Sequence, residues 1–238
     1  MRVTVLELPA RWGAPAAALA EVDERLARGP ATDLVLLPEA SLTGYVSAAG
    51  DFDATPAAEP IDGPIAHALA ELAARHRVHL IGPLIERAGD VWFNSMLGFA
   101  PDGTRVLHYR KRHPWVPETW ATPGVEPHPV VRIGELAVTI ATCFDVHFLA
   151  DEAADALTAA DLLLFPSAWV DRQRTRVGLL RALAARFDVA IANANWGAGV
   201  VRVAGQGDSC IVGAGGDVVA VTAAATGRAD ALVARPGP

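Results

Sequence analysis

Apolar and polar residues follow two periods along this chain, and each change of period marks the start of another short element. Val3–Leu8 is a nearly continuous apolar run and reads as a strand. Ala16–Arg28, opened by Pro15, carries Leu19, Val22 and Leu26 at helical spacing with charges between them, which predicts an amphipathic helix. Asp33–Pro38 predicts a buried strand. Asp62-Gly63-Pro64 offers an N-cap and a first-turn proline to a helix over Ile65–His76, where Leu69 and Leu72 share one face. Val78–Gly82 is the next strand. Trp92–Ala100 and Thr104–Tyr109, split by Pro101-Asp102-Gly103, predict a hairpin, and so do Pro129–Ile133 and Leu136–Thr142 about Gly134-Glu135.

A helix is expected over about Ala150–Ala160. Asp161–Pro166 then repeats the pattern of Asp33–Pro38, an Asp, an apolar run and a Pro, which predicts two similar loops facing one site. Asp171–Phe187 reads as a helix with Arg172, Arg176 and Arg186 on its polar surface, followed by the apolar strand Val189–Ala194. Ser209–Val212 and Asp217–Thr222 form a hairpin about Gly213–Gly216, and Ala231–Ala234 is a last short strand. About ten strands and four helices, with hairpins among crossovers, predict an α/β fold with sheets of mixed direction covered by helices. No composition shift, linker or repeat interrupts the chain, so one domain is expected over residues 1–238.

Composition narrows the function. The 238 residues are 52% apolar with a formal charge of −7 and no Lys/Arg-dense run, which disfavours a nucleic-acid surface. No apolar stretch reaches the ~18 residues of a membrane span. Two cysteines exclude a disulfide framework, and an opening strand in place of a leader pattern predicts a soluble, cytoplasmic protein.

Three loops carry candidate chemistry. Cys143 lies where the strand ending at Thr142 runs out into Phe144-Asp145-Val146-His147, a place where a thiol and backbone N–H groups can face one substrate; a small buried apolar role is the alternative. Cys210 reads as core. Glu39 follows Leu36-Leu37-Pro38 at the end of a buried strand, which suits a general base, although a helix cap or surface acid fits the position equally. Lys111 lies in Tyr109-Arg110-Lys111-Arg112-His113, ordinarily a solvated hairpin end, but the following loop to Gly124 is rich in Pro and Trp and could wall a pocket. No paired-Cys, His-Glu-x-x-His, phosphate-loop or Gly-x-Ser-x-Gly spacing occurs, so neither a metal nor an organic cofactor is expected.

Those segments together resemble the nitrilase superfamily of carbon–nitrogen hydrolases, and the likeness runs from about Arg2 to Arg235. Leu36–Glu39 with Thr43-Gly44-Tyr45 is similar to the family's base segment, Tyr109–Lys111 with Thr122-Pro123-Gly124 to its lysine segment, and Ala141–Asp145 with Ala160–Trp169 to its nucleophile segment. Arg181-Ala182, Asn193, Ser209–Ile211 and Gly216–Val218 resemble later landmarks.

The resemblance implies a four-layer α-β-β-α sandwich with two mixed β-sheets, assembled as a homodimer or larger homo-oligomer. It implies Cys143 as nucleophile, Glu39 as base, Lys111 and the Phe144 backbone N–H as oxyanion donors, and Glu118 as a second, supporting glutamate. Lys111 is then expected to lower the Cys143 thiol pKa. Tyr45, Trp115, His147 and Trp169 are candidate pocket residues, with Trp120 and Trp196 weighed beside them. His147 stands where many members carry an arginine, and Ala184-Ala185 where many carry Glu-Asn. The expected activity is hydrolysis of a small amide through a cysteine thioester, giving a carboxylate and ammonia or an amine. A nitrile or N-carbamoyl substrate on the same fold is one alternative, and a catalytically silent binding or assembly member is the other.

Overall fold

The computed structural model describes residues 1–173 and 175–235, which form twelve strands in two six-stranded sheets. The first sheet takes β1 (Arg2–Leu6), β2 (Leu34–Leu36), β3 (His79–Ala88), β4 (Val91–Phe99), β5 (Arg105–Arg110) and β12 (Arg228–Leu232) in the order β12-β1-β2-β3-β4-β5. Helices α1 (Pro15–Arg28) and α2 (Pro64–His76) make the crossovers that its parallel β1-β2-β3 core requires. The second sheet takes β6 (Val130–Ile133), β7 (Leu136–Ile140), β8 (Leu162–Ser167), β9 (Ala190–Asn195), β10 (Cys210–Val212) and β11 (Val218–Val221), in the order β11-β10-β9-β8-β7-β6. Its crossovers are α3 (Leu149–Glu152) with α4 (Ala154–Ala159), and α5 (Arg176–Phe187).

Three apolar layers hold these elements together. Val5, Leu36 and Ile81 of the first sheet meet Val138, Leu164 and Ala192 of the second. Val22 and Leu69 cover the outer face of the first sheet, and Leu157 and Leu180 that of the second. A strand buried on both faces must be apolar at consecutive positions, which explains the unbroken runs in β2, β8 and β9. Four layers result, α-β-β-α.

Several elements depart from the sequence reading. The strand expected to stop at Gly82 continues through Pro83 to Ala88 and pairs with β4 along its length. Ile81 turns its carbonyl to Leu37, so Pro83, two residues on, faces the same edge, where β2 has already ended and no ladder donor is needed. The helix expected over Ala150–Ala160 bends at Ala153 into two short pieces, keeping Leu149, Ala153 and Leu157 against the second sheet. Asp171 does not begin a helix: its carboxylate accepts the N–H groups of Gln173 and Thr175, and α5 starts at Arg176. Arg176 is 4% exposed and not on a polar surface, because its Nη2 donates to the carbonyls of Gly207 and Asp208 at 2.7 and 3.0 Å in the loop that folds over it. Glu59, not Asp62, accepts the Ile65 N–H at the start of α2. The last strand begins at Arg228, whose guanidinium pairs with Asp230 and is anchored to Thr4 and the Pro30 carbonyl.

One buried acid braces the β3-β4-β5 hairpins. Glu86 accepts from Ser95 Oγ at 2.6 Å, His108 Nε2 at 2.8 Å and both edges of the Arg110 guanidinium. Burial works against its charge, but His108, Arg110 and Ser95 outweigh it and hold the carboxyl down to about 2. A folded-state pKa below the usual 4.5 stabilises the fold above that pH, and the contribution is lost as pH falls from 4.5 toward 2. Glu86→Gln is therefore expected to lower the melting temperature near neutral pH, costing about 3 kcal/mol as a broken buried pair does. Melts taken at successive pH values should show wild type and variant converging as acid is added; parallel curves would refute the assignment.

Candidate active site

Strands β2 and β5 point the same way in the first sheet, and β7 and β8 the same way in the second. Loops leaving their C-terminal ends bring Glu39, Lys111, Cys143 and Ala168 to one end of the sandwich, where open α/β sheets commonly place ligands. The loops after the two Asp-apolar-Pro strands do face one site, since Glu39 Oε2 accepts the Ala168 N–H at 2.8 Å.

Glu39 is 1% exposed, and its Oε1 accepts from Lys111 Nζ and Asn94 Nδ2, each at 2.7 Å. Lys111 continues the β5 ladder: its N–H donates to Asn94 and its carbonyl accepts from Gly124, both at 2.8 Å. Gly124 must be glycine here, because a Cβ would stand 2.3 Å from the Arg110 carbonyl oxygen. Lys111 is not a solvated hairpin end; it is 0% exposed, and its ammonium also donates to Glu118 Oε1 at 2.6 Å. Tyr45 hydroxyl donates to the same Glu118 oxygen at 2.7 Å, and Asn94 Nδ2 reaches Glu118 Oε2 at 3.3 Å. Two carboxylates thus share one ammonium and one amide donor, all away from water.

Cys143 opens the 3-10 turn Cys143–His147 with φ +48, in the left-handed region that side chains rarely adopt. Asp145 holds that turn. Its carboxylate accepts the N–H groups of Thr142 at 2.9 Å and His113 at 2.8 Å, and the Tyr109 hydroxyl at 2.7 Å. The Cys143 turn is thereby tied to the strand and loop that carry Lys111. Phe144 is the second residue of the turn, where backbone N–H groups lack an acceptor within the helix.

The charges set the resting state. Burial works against the Lys111 ammonium, but Glu39 and Glu118 outweigh it and hold its pKa well above the usual value. Burial pushes the Glu118 carboxyl up, with Lys111 opposing. Lys111 does lower the Cys143 thiol pKa as expected, but burial, with Glu39, outweighs it and raises the thiol well above its ordinary range. Cys143 therefore rests as a protonated thiol.

A cavity of about 100 Å³ opens over Cys143, walled by Trp115, Phe144, His147 and Trp169. Trp169 and His147 rings lie 5.9 Å apart. Of the four pocket residues expected from the sequence, Tyr45 is placed elsewhere: it lies behind Lys111, against Glu118 and the Trp196 ring. Trp196 is 3% exposed and donates its Nε1 to the Trp169 carbonyl at 3.0 Å, and it does not wall this cavity. Asn94, Asp145 and the Ala168 N–H were not singled out from the sequence. A polar Asn94 in the apolar run Trp92–Ala100 was the available signal, since a buried amide must find partners. Among the described residues, no group of three His, Cys, Asp or Glu is placed to hold a metal ion. No helix among them is long and apolar enough to cross a membrane.

A four-layer sandwich with a cysteine turn, a buried lysine and two glutamates at one end defines a class of enzyme fold, and comparison with known proteins supplies the family. The carbon-nitrogen hydrolase model matches residues 4–230, and the chain belongs to that family. A Pseudomonas protegens protein described as a hydrolase in the pqqF 5' region is 28% identical over 174 residues, covering 71% of this chain and 59% of that protein. A formamidase of Pseudomonas syringae pv. tomato is 36% identical over 142 residues, covering 57% of this chain and 39% of that enzyme. The matched stretch thus spans three fifths or less of these relatives. A mutant of the Nesterenkonia AN1 amidase from the nitrilase superfamily superposes with a TM-score of 0.84 at 24% identity, over 97% of this chain and 89% of that one. The shared fold is the α-β-β-α sandwich with two mixed sheets.

Proposed function

We propose that this protein hydrolyses the C–N bond of a small amide through a thioester on Cys143. The observation that carries the reading is the Lys111 ammonium, fully buried between Glu39 and Glu118 beside the Cys143 turn. A cation held at such a cost in desolvation is accounted for by an oxyanion that develops next to it.

In this mechanism Glu39 takes the Sγ proton as sulfur attacks the carbonyl carbon, which answers the raised thiol pKa. The oxygen gains the negative charge and is held by Lys111 Nζ and the Phe144 N–H. Collapse expels the nitrogen, which leaves with the proton from Glu39 as ammonia or an amine. Water then gives a proton to Glu39 and attacks the thioester carbon; the C–S bond breaks, Glu39 returns that proton to sulfur, and the acid leaves as a carboxylate by losing its own proton to solvent. Glu118, Asn94 and Tyr45 are positioning residues, supported by their hydrogen bonds to the Lys111–Glu39 pair. Trp115, His147 and Trp169 enclose the substrate, with a shape that follows from His147 where many members carry arginine. The chemistry requires no metal or organic cofactor. The reading includes a single domain over 1–238 acting as a homodimer or larger homo-oligomer, as the family resemblance implies. It also includes a cytoplasmic location, in keeping with the free thiols of Cys143 and Cys210.

The test is kcat/KM for amides, N-carbamoyl compounds and nitriles sharing one acyl group, with ammonia release and intact mass as readouts. Amides are expected to be preferred over the matching nitriles. A nitrile gives a thioimidate that needs extra proton delivery before joining the same path, and this mechanism already uses Glu39 for every proton it moves within the site. A consistent preference for nitriles, or no adduct on Cys143 with any compound, would overturn the assignment.

A further inference from the structure

A second cavity of about 460 Å³ adjoins the Cys143 cavity and shares Trp115 and Val170 with it. Its inner wall is aromatic: Phe52 packs edge-on to Trp115 with ring centroids 6.4 Å apart, and Trp196 lies beside them at 3% exposure. Its outer wall carries Val200, 54% exposed, and Val203, 37% exposed, while the shared Val170 is 42% exposed. Arg202 is the one charged residue lining it among those described. Large apolar side chains left open to water in a lined hollow, continuous with a reactive pocket, are the mark of a binding subsite.

The direction of the substrate follows from where protons must go. The leaving nitrogen has to face Glu39 to receive its proton, and Glu39 is 1% exposed with its oxygens engaged by Lys111, Asn94 and the Ala168 N–H. Lys111 and Glu118 pack around it at 0% and 2% exposure, so the nitrogen is presented to the closed side of the site. A substituent on the acyl carbon has the open side, past Trp115 and Val170.

We propose that this groove is the acyl subsite, and that the substrate is a primary amide whose acyl group carries an extended apolar chain or ring. The proposal rests on the hydrolase reading above. The experiment compares acetamide, hexanamide and N-hexylacetamide, measuring kcat/KM with the wild type and dissociation constants by calorimetry with Cys143→Ala. Hexanamide is expected to exceed acetamide at least about tenfold in kcat/KM and in affinity, since each buried methylene can contribute a several-fold preference. N-Hexylacetamide should be turned over at least about 100-fold less well than hexanamide, because it carries its chain on the excluded side. Val200→Asp and Val203→Asp, both at exposed positions, should each cut the hexanamide to acetamide ratio about tenfold by placing a carboxylate in the apolar wall.

Equal values for hexanamide and acetamide by both readouts, or a ratio unmoved in both variants, would overturn the groove while leaving the hydrolase reading intact. N-Hexylacetamide reacting as fast as hexanamide would overturn the orientation. If no amide is hydrolysed yet hexanamide still binds Cys143→Ala more tightly in a Val200-dependent way, the groove stands and the hydrolase reading fails. Sedimentation completes the design: an oligomer dissociated by Val200→Asp with unchanged selectivity would assign the groove to contact between copies and refute the proposal.

Discussion

Cys143→Ala is expected to lower amide turnover by at least about 10⁴-fold, the scale on which removing a nucleophile acts elsewhere. The fold should scarcely notice. Alanine inherits the same left-handed φ of +48, so the backbone cost is already present in the wild type, and only a sulfur atom is lost from a site that is 7% exposed. Such a truncation costs about 1 kcal/mol, a shift of about 2–4 °C in melting temperature for a chain of this size. Asp145 would still hold the turn through Thr142, His113 and Tyr109, and Lys111 would still bridge Glu39 and Glu118. Ammonia release and melting curves on the same preparation separate the two effects. A rate lowered only a few-fold would sink Cys143 as nucleophile, and a large melting shift would reassign the thiol to packing.

The contrast between what it keeps and what it loses reflects how the site was legible from sequence. Glu39 and Cys143 could be singled out because each stands at the end of an apolar strand run, and Lys111 because its basic stretch runs into a loop rich in Pro and Trp. Their convergence could not be read from any of them singly. It depends on β2, β5, β7 and β8 ending on one side of two stacked sheets, a fact of topology that no local pattern contains. Glu118 was reached through the resemblance alone, because it lies in a loop with no period to place it.

Where the reading failed, tertiary contact overrode a local signal. Arg176 sits at a position that helical spacing assigns to solvent, but the Gly207-Asp208 carbonyls come down on it from a distant loop. Tyr45 follows Glu39 closely enough to suggest the pocket, yet its hydroxyl turns inward to Glu118. The strand expected to end at Gly82 runs on through Pro83, which is tolerated because β2 is shorter than β3. The Lys111 effect on the thiol has the expected direction, but burial and Glu39 outweigh it. Arg176 and Tyr45 were each read through their own segment when a second segment fixed the environment.

Lys111→Met is expected to damage both stability and rate, and a second substitution should separate the two. Without the ammonium, Glu39 and Glu118 would face each other in a space from which water is excluded, and breaking a buried ion pair in this way costs about 3–5 kcal/mol. For a chain of this length that is a fall of about 6–20 °C in melting temperature. One carboxylate must take up a proton, and Glu118 is the group that burial already pushes up. An acid whose folded pKa is raised stabilises the protonated fold below its unfolded value of 4.5 and loses that contribution as pH rises. The stability deficit of Lys111→Met should accordingly be smallest in acid and grow toward neutral pH. Adding Glu118→Gln removes the second charge while keeping a hydrogen-bonding side chain for Tyr45, so the double variant should regain most of the lost melting temperature. Turnover should not return with it, because the donor to the oxyanion is still missing and its loss is about 10²-fold or more. Recovery of both properties together would make Lys111 a counter-charge and nothing else; recovery of stability alone assigns it to the reaction.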